Sequence, residues 1–272
     1  MESHEGGDSM RENTVLSAWR EGRQTVGGWL SIGNAFTAES MSSLGFDWLC
    51  IDLQHGMLSY DDLKYMLPAI STRDTVPMVR VPWNEPYEIM KALDAGAYGV
   101  IVPMVNNREE ALQAVSACRY PPDGLRSCGP VRAAMYAGRG YLAEANQQIA
   151  CVAMVETAEA LENLDEIATT PGLDGIYIGP ADLAYALGLS GPSEMGNPKH
   201  AETVELILST CKKHGMAVGI HTGSLELTQT YLQQGFNFVN LGTDSGFLMR
   251  LASTELAQAK QTKEAEREKT GY

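Results

Sequence analysis

The sequence predicts an α/β protein built as a single (β/α)8 TIM barrel, and three observations support this prediction. Strand and helix patterns alternate eight times in about 230 residues, which is the number of units in such a barrel. The strands are mostly continuous apolar runs, as in a parallel sheet covered by helices. Isolated polar residues fall at or just after strand ends, where barrel active sites are built. A doubly wound sheet is the rival fold, but no GxGxxG turn follows the first strand.

The predicted elements follow one another at regular intervals along the chain. Short apolar runs predict strands over 27–33, 46–53, 76–81, 98–104, 150–155, 175–179, 216–221 and 237–242. Apolar residues at helical spacing predict helices over 35–44, from 59 onward, and over 85–93, 108–118, 159–167, 202–214, 224–234 and 247–259. Gly45 ends the first helix, Ser59 followed by two aspartates caps the second, and Pro171 with Gly172 ends the fifth.

Composition limits the classes of function. The chain has 272 residues and a formal net charge of −14, which argues against a nucleic-acid surface because phosphates require clustered Lys and Arg. No apolar run approaches the roughly 20 residues of a membrane helix. The five cysteines are odd in number and lack CxxC spacing, so free thiols in the cytoplasm are expected. We predict a disordered N-terminal extension over 1–12, the barrel over 13–257 and a charged C-terminal tail over 258–272.

The segment 152–188 holds two apolar strands that each end near an acidic residue. Glu156 follows the first strand and Asp182 follows the second. Parallel neighbouring strands lie roughly 4.8 Å apart, so their ends place both carboxylates on one rim of the barrel. Each residue alone could cap the helix that follows it. Together they predict a site for a hard divalent cation such as Mg²⁺, Mn²⁺ or Co²⁺.

Three further polar residues lie at strand ends. Arg80 ends the third strand among apolar neighbours, and it is predicted either to stabilise an enolate oxygen or to form a structural ion pair. His55 follows the second strand and is predicted to be a general base, with a surface or hydrogen-bonding role as the alternative. His221 lies at a similar height, and a catalytic role and a pocket-lining role are both left open. His4, His200 and His214 are predicted to be surface residues.

The segment 118–132 is longer than a barrel loop requires, and its glycines and prolines predict an irregular lid. Arg126 and Arg132 could contact an anionic substrate from this lid. The alternative is that both charges are simply solvated.

The chain closely resembles the HpcH/HpaI family of pyruvate-dependent class II aldolases, typified by 4-hydroxy-2-oxoheptanedioate aldolase. The resemblance covers residues 27–251 and is carried by IDLQHG, VRVPWNEP, VPMVNNREEA, RYPPDGLRS, VETAEALENLDEI and DGIYIGPADLAYALG. It implies that Glu156 and Asp182 bind the metal and that Arg80 stabilises the pyruvate enolate. It also implies that His55 and Asp94 form a catalytic dyad.

The resemblance carries further implications for the assembly and for substrate binding. Asp94 lies between a helix and a strand, on the wrong rim for its own barrel, so a neighbouring subunit is expected to supply it. Family members are oligomers, often hexamers arranged as trimers of dimers, with C-terminal helices exchanged between subunits. The backbone of Gly179, Pro180, Ala181 and Asp182 matches the site for the pyruvate carboxylate.

Two positions depart from the family pattern. Met154 stands where members commonly have a Gln that lines the pyruvate site, and Gln54 stands where many have Glu. These changes leave the predicted metal ligands and base in place, but they put pyruvate-binding geometry and ketone preference in question.

The leading hypothesis is therefore a metal-dependent aldolase that cleaves a 4-hydroxy-2-oxoacid to pyruvate, or a related 2-oxoacid, and an aldehyde. Lys64 and Lys91 are predicted to lie on helix surfaces, which disfavours Schiff-base catalysis. A lyase of the citryl- or malyl-CoA type is one alternative, although the acidic chain has few basic clusters for a nucleotide. A catalytically retired barrel that binds an oxoacid is the other, motivated by Met154.

Overall fold

Eight parallel strands form a closed barrel in which each strand pairs with its neighbours in chain order and β1 pairs with β8. The computed structural model describes residues 9–191 and 196–270, with side chains described up to residue 260. The strands are β1 Thr25–Leu30, β2 Trp48–Asp52, β3 Val76–Arg80, β4 Gly99–Val102, β5 Ala150–Val155, β6 Gly175–Ile178, β7 Ala217–Ile220 and β8 Phe238–Thr243. The predicted (β/α)8 barrel is confirmed, and the predicted strand bounds differ by up to three residues.

Thirteen helices are found in the described part of the chain. They are α1 Thr14–Arg20, α2 Ala35–Ser42, α3 Tyr60–Ile70, α4 Pro86–Asp94, α5 Arg108–Cys118, α6 Val131–Ala137, α7 Tyr141–Gln148, α8 Ala158–Glu162, α9 Leu164–Ala168, α10 Pro180–Ala186, α11 Pro198–Lys213, α12 Leu225–Gln234 and α13 Asp244–Thr270. The single helix predicted over 159–167 is interrupted at Asn163, which ends α8 and begins α9. Asn13 caps α1 by accepting a hydrogen bond from the backbone of Leu16 at 3.0 Å.

Aromatic rings fill the barrel interior and close it to water. Trp29 stacks on Tyr177 with ring centroids 5.4 Å apart, and Tyr177 stacks on Phe238 at 5.6 Å. A Cβ atom at Gly27 would collide with the ring of Trp48, so this glycine allows the large ring to lie against β1. The interior is therefore a packed core rather than a channel, and a ligand can enter only at a rim.

The structure does not place an element boundary at either predicted end of the barrel domain, 12–13 or 257–258. Residues 1–8 of the predicted extension lie outside the described residues. Met10 is buried, and its backbone N–H donates to Glu144 at 3.0 Å, so this part of the predicted extension packs against the barrel. Helix α13 continues through the predicted boundary at 257–258. None of the helices in residues 9–191 and 196–270 is long and apolar enough to cross a bilayer.

Candidate active site

A cavity of about 510 Å³ lies at the carboxyl ends of the barrel strands. It is lined by His55 after β2, by Arg80 at the end of β3, and by Glu156 after β5. The part of the cavity wall next to these side chains is completed by Met154, the 179–182 segment and His221. The structure therefore brings together every predicted site residue except Asp94, because the ends of parallel strands meet on one rim.

Arg80 is held by a two-pronged ion pair with Asp52, the last residue of the neighbouring strand. Arg80 Nε donates to one carboxylate oxygen of Asp52 at 2.8 Å, and Nη2 donates to the other at 2.6 Å. Burial alone would raise the pKa of Asp52, but the hydrogen bond and charge of Arg80 outweigh burial and lower it. The structural ion pair predicted as one alternative for Arg80 is thus present. The guanidinium also faces the cavity, and its role at an enolate oxygen stays a prediction.

Asp52 also shapes the loop that carries His55. Its carboxylate accepts hydrogen bonds from the backbone N–H groups of Gln54 at 3.1 Å and His55 at 3.2 Å. One buried carboxylate therefore positions both the guanidinium of Arg80 and the backbone that carries His55. The register of β2 on β3 places Asp52 directly beside Arg80. Sequence reasoning did not assign Asp52 a role, because that register depends on the closed sheet.

Glu156 is almost completely buried at the end of β5. One of its carboxylate oxygens accepts a hydrogen bond from the backbone N–H of Met104 at 2.9 Å. Met104 has a φ of 56°, a left-handed conformation that is uncommon outside glycine and that turns this N–H toward the site. Burial raises the pKa of Glu156 to about 7, the charge of Asp182 adds to this, and the Met104 hydrogen bond and Arg80 oppose it. The sequence carries no signal that Met104 makes this contact.

The carboxylates of Glu156 and Asp182 fit a divalent cation. A buried carboxyl that resists ionisation beside a second acid is stabilised as the anion when a cation lies between them. Within residues 9–191 and 196–270, no group of three or more His, Cys, Asp or Glu side chains is placed to hold a metal. The protein would thus supply two oxygen-donor side chains and leave the remaining positions to water and substrate, as Mg²⁺-like ions accept.

Gly179 brings the backbone of the next strand against the buried acid. A Cβ atom at this position would collide with Glu156 and approach the Met154 methyl to 3.0 Å. Pro180, which begins α10, has its carbonyl oxygen within 2.9 Å of the Nε2 of His200. His200 is buried, so its prediction as a surface residue was wrong; it lies on α11 with its ring against the cavity wall. His214 is partly exposed and pairs with Asp165, and His4 lies outside the described residues.

Asp94 lies at the opposite end of the barrel. It is the last residue of α4 and precedes β4, and its carboxylate accepts a hydrogen bond from Arg126 at 2.7 Å. The prediction of a lid with Arg126 over the site was wrong for this chain's own cavity, because the segment after α5 lies at the amino ends of the strands. Arg132 donates to the Ala95 carbonyl at 3.1 Å at this same end.

The comparisons with known proteins identify the family. The model of the HpcH/HpaI aldolase/citrate lyase family matches residues 25–250. The chain belongs to this family. A hydroxypyruvate/pyruvate aldolase of Rhizorhabdus wittichii is 41% identical over 251 residues, which cover 91% of this chain and 99% of the relative. A 4-hydroxy-2-oxo-heptane-1,7-dioate aldolase of Escherichia coli is 37% identical over 253 residues, or 91% of this chain and 95% of the relative.

A solved family structure supports the same assignment. A HpcH/HpaI aldolase/citrate lyase family protein of Burkholderia cenocepacia superimposes with a TM-score of 0.85 at 34% identity, covering 91% of this chain and 99% of that chain. The resemblance noted in the sequence is thereby confirmed, and so is the prediction of a carbon–carbon lyase. Class II aldolases of this family generally use a divalent metal, which agrees with the two carboxylates described above.

Proposed function

We propose that this protein is a metal-dependent class II aldolase that reversibly cleaves a 4-hydroxy-2-oxoacid into pyruvate, or a related 2-oxoacid such as hydroxypyruvate, and an aldehyde. The observation that carries the proposal is the guanidinium of Arg80, which is fixed by Asp52 and faces the same cavity as Glu156 and Asp182. A cavity that holds a fixed guanidinium and two carboxylic acids suits a reaction whose difficult step creates an enolate anion.

Glu156 and Asp182 would hold the cation, with Mg²⁺, Mn²⁺ or Co²⁺ as the candidates. When bound, the cation supplies Lewis-acid stabilisation of negative charge on the 2-oxoacid oxygens. The Met104 N–H keeps one oxygen of Glu156 oriented, so the acid need not reorganise when its charge is used.

Arg80 and His55 would act on the reacting atoms. His55 would take the proton of the C4 hydroxyl as the C3–C4 bond breaks, releasing the aldehyde. Arg80 would stabilise the enolate oxygen of the 2-oxoacid that remains, and protonation at C3 then yields pyruvate. Because Asp52 fixes Arg80 before substrate arrives, little reorganisation is needed as this charge develops.

The 179–182 segment would receive the carboxylate of the 2-oxoacid. Gly179, Pro180, Ala181 and Asp182 line the cavity, and the absence of a side chain at Gly179 lets its backbone lie close to Glu156. Met154 lies beside this segment and would contact the same end of the substrate.

Removal of the metal tests the proposal. The protein is treated with a chelator and assayed for pyruvate release from a panel of 4-hydroxy-2-oxoacids, with and without added Mg²⁺, Mn²⁺ or Co²⁺. We expect activity to disappear with the chelator and to return with metal, and Glu156→Gln to resist rescue. Full activity in the presence of the chelator would contradict the proposed metal dependence. Tight oxoacid binding with no turnover would favour the retired barrel, and cleavage of an acyl-CoA thioester would favour the citryl- or malyl-CoA type.

We also propose that the protein is a homo-oligomer, as a hexamer or trimer of dimers, in which Asp94 of one subunit completes the site of another. Helix α13 supports this, since Leu248, Met249, Leu251 and Leu256 are exposed on it. Exchange of α13 between subunits would cover these side chains. The cysteines are free and four of the five are buried, which supports the proposed cytoplasmic location.

Subunit mixing tests the shared site. His55→Ala and Asp94→Asn proteins are each expected to be nearly inactive, and unfolding and refolding them together should restore activity by forming sites with both residues intact. Each variant refolded alone is the control. If the mixture stays inactive while light scattering shows mixed oligomers, Asp94 does not act in a neighbouring site.

A further inference from the structure

His221 has no role in the reaction described above, yet it faces the cavity. It follows β7 on the same rim as Arg80 and Glu156, and it lines the cavity wall. Its ring meets the Trp29 ring edge-on with centroids 5.0 Å apart, and Arg80 lies over the same Trp29 ring at 5.2 Å. The imidazole is therefore held in one orientation beside the guanidinium.

A chain of hydrogen bonds determines which ring nitrogen carries the proton. The Asn240 side chain is oriented by Thr222, since its Nδ2 donates to the Thr222 carbonyl at 2.8 Å and its Oδ1 accepts from the Thr222 N–H at 2.6 Å. The Tyr177 hydroxyl lies 3.2 Å from Asn240 Oδ1. Because an amide oxygen only accepts, the Tyr177 hydroxyl must donate its proton to it.

Because its proton is used in this bond, the Tyr177 oxygen can only accept a hydrogen bond from its other neighbour. That neighbour is His221 Nδ1, at 3.4 Å. Nδ1 must therefore carry the proton, which leaves Nε2 with a free lone pair. Within the part of the chain that the structure describes, Nε2 has no hydrogen-bond partner. Burial and, to a smaller extent, the charge of Arg80 together lower the pKa of His221 to about 4, so the ring is uncharged near neutral pH.

We propose that His221 Nε2 accepts a hydrogen bond from a hydroxyl group of the substrate and thereby selects hydroxylated substrates over their deoxy counterparts. A lone pair repels carboxylate and carbonyl oxygens, which also present lone pairs, and it attracts an O–H donor. The inference rests on the proposed function. The hydroxyl belongs either to the 2-oxoacid, as in hydroxypyruvate, or to the aldehyde, as in glycolaldehyde.

The size of the preference follows from the hydrogen bond to His221 Nε2 that a deoxy substrate cannot make. It would fill the same space but leave a buried nitrogen without a partner, and such a loss lowers kcat/KM roughly tenfold. The 4-hydroxyl common to all substrates of the reaction cannot produce this difference, because it is present in both members of a pair.

Matched substrate pairs test the inference in the metal-loaded enzyme. One pair is hydroxypyruvate and pyruvate with a single aldehyde, and the other is glycolaldehyde and acetaldehyde with pyruvate. We expect the wild type to prefer the hydroxylated member of one pair by roughly tenfold in kcat/KM. His221→Leu should bring that ratio close to one, whereas His214→Leu, a histidine change on the outer surface, should leave it unchanged.

A second variant tests the hydrogen-bond chain itself. Tyr177→Phe keeps the stacked ring but removes the oxygen that holds the Nδ1 proton, so the other tautomer becomes accessible and the ratio should fall. A wild type without preference in either pair, or a preference that survives in both His221→Leu and Tyr177→Phe, would overturn the inference.

The same experiment separates this inference from the proposed function. Turnover without hydroxyl preference defeats only the role of His221. If no hydroxy-oxoacid is turned over, the proposed function fails, and calorimetry then compares hydroxypyruvate with pyruvate on the wild type and His221→Leu. Equal affinities on both proteins would also overturn the role of His221.

Discussion

Two arginine–aspartate pairs lie at opposite ends of this barrel, and their surroundings differ. Arg80 and Asp52 meet at the carboxyl ends of the strands, where the guanidinium faces a cavity. Arg126 and Asp94 meet at the amino ends, where the Arg126 side chain is 0% exposed and lies over the rings of Tyr120 and Tyr141. The ion-pair distances are almost the same, 2.6 and 2.7 Å.

The difference teaches that the role open to an ion pair depends on what its remaining hydrogen-bond donors face. Arg80 uses two nitrogens on Asp52 and keeps part of its fork toward the cavity. Within the described residues, Nε and Nη1 of Arg126 have no hydrogen-bond partner, but they are buried behind aromatic rings where a substrate of this chain's own site cannot reach. The first pair is suited to stabilise developing charge in this chain's own site, and within the same chain the second is suited to hold the α4–β4 corner.

The largest expected effect comes from the pair that faces the cavity. Arg80→Lys keeps the charge but loses the planar fork that spans Asp52 and the enolate position. We expect kcat for pyruvate release to fall roughly 10²- to 10³-fold. Arg20→Lys, which alters the pair between the half-exposed Arg20 and Asp174, is the matched control and should leave kcat unchanged. An Arg80→Lys enzyme with near-normal kcat would remove Arg80 from the reaction.

Metal-free protein should lose stability as pH rises, because Glu156 must ionise while buried. Its pKa in the folded state, about 7, lies above its ordinary value of 4.5. Between pH 4.5 and 7 the folded state therefore binds a proton that the unfolded state has lost, and this stabilisation disappears as the pH rises through 7. The free energy of unfolding should fall by about 2.5 kcal/mol between pH 5 and pH 8.

Urea unfolding with a chelator, at a fixed protein concentration, measures this loss. Glu156→Gln should make the free energy of unfolding less dependent on pH, and saturating Mn²⁺ should reduce the loss in the wild type. If the wild type and Glu156→Gln show the same pH dependence, Glu156 does not carry the effect.

Breaking the Arg126–Asp94 pair at the amino ends of the strands should mainly lower the stability of the chain that contains it. Asp94→Asn leaves the buried Arg126 guanidinium without its carboxylate, and we expect the free energy of unfolding to fall by about 2 kcal/mol. Urea unfolding of the metal-loaded protein measures it, with Asp74→Asn as the control because its pair with Arg11 is exposed. Equal stability of the two variants would contradict the contrast drawn between the two ends.

The smallest expected effect concerns Met154, which lines the cavity beside Glu156. Met154→Gln supplies a polar group of similar length, and one added hydrogen bond to the 2-oxoacid should lower KM for pyruvate by about two- to tenfold in the synthetic direction. Met154→Leu is the control, since it changes shape without adding a donor. The hydrogen-bond explanation fails if the two variants give the same KM.

Much of the site could be predicted from position along the chain. Glu156, Asp182, Arg80 and His55 each follow an apolar run, and the carboxyl ends of parallel strands must meet on one rim. The lid predicted at 118–132 does not lie over this chain's own cavity. Loop composition alone does not reveal the end of the barrel. Counting elements would have placed it after a helix, and therefore at the amino ends.

The sequence by itself determined the number and order of the strands, the rim on which the acids and Arg80 lie, and the family, because apolar periodicity and short motifs are local properties. Only the tertiary structure decided that Asp52 holds Arg80, that Met104 turns its N–H to Glu156, and that Asn240 and Tyr177 set the proton on His221. Each of these contacts joins residues from different strands or their loops. Their hydrogen-bond geometry exists only once the barrel has closed and its register is set.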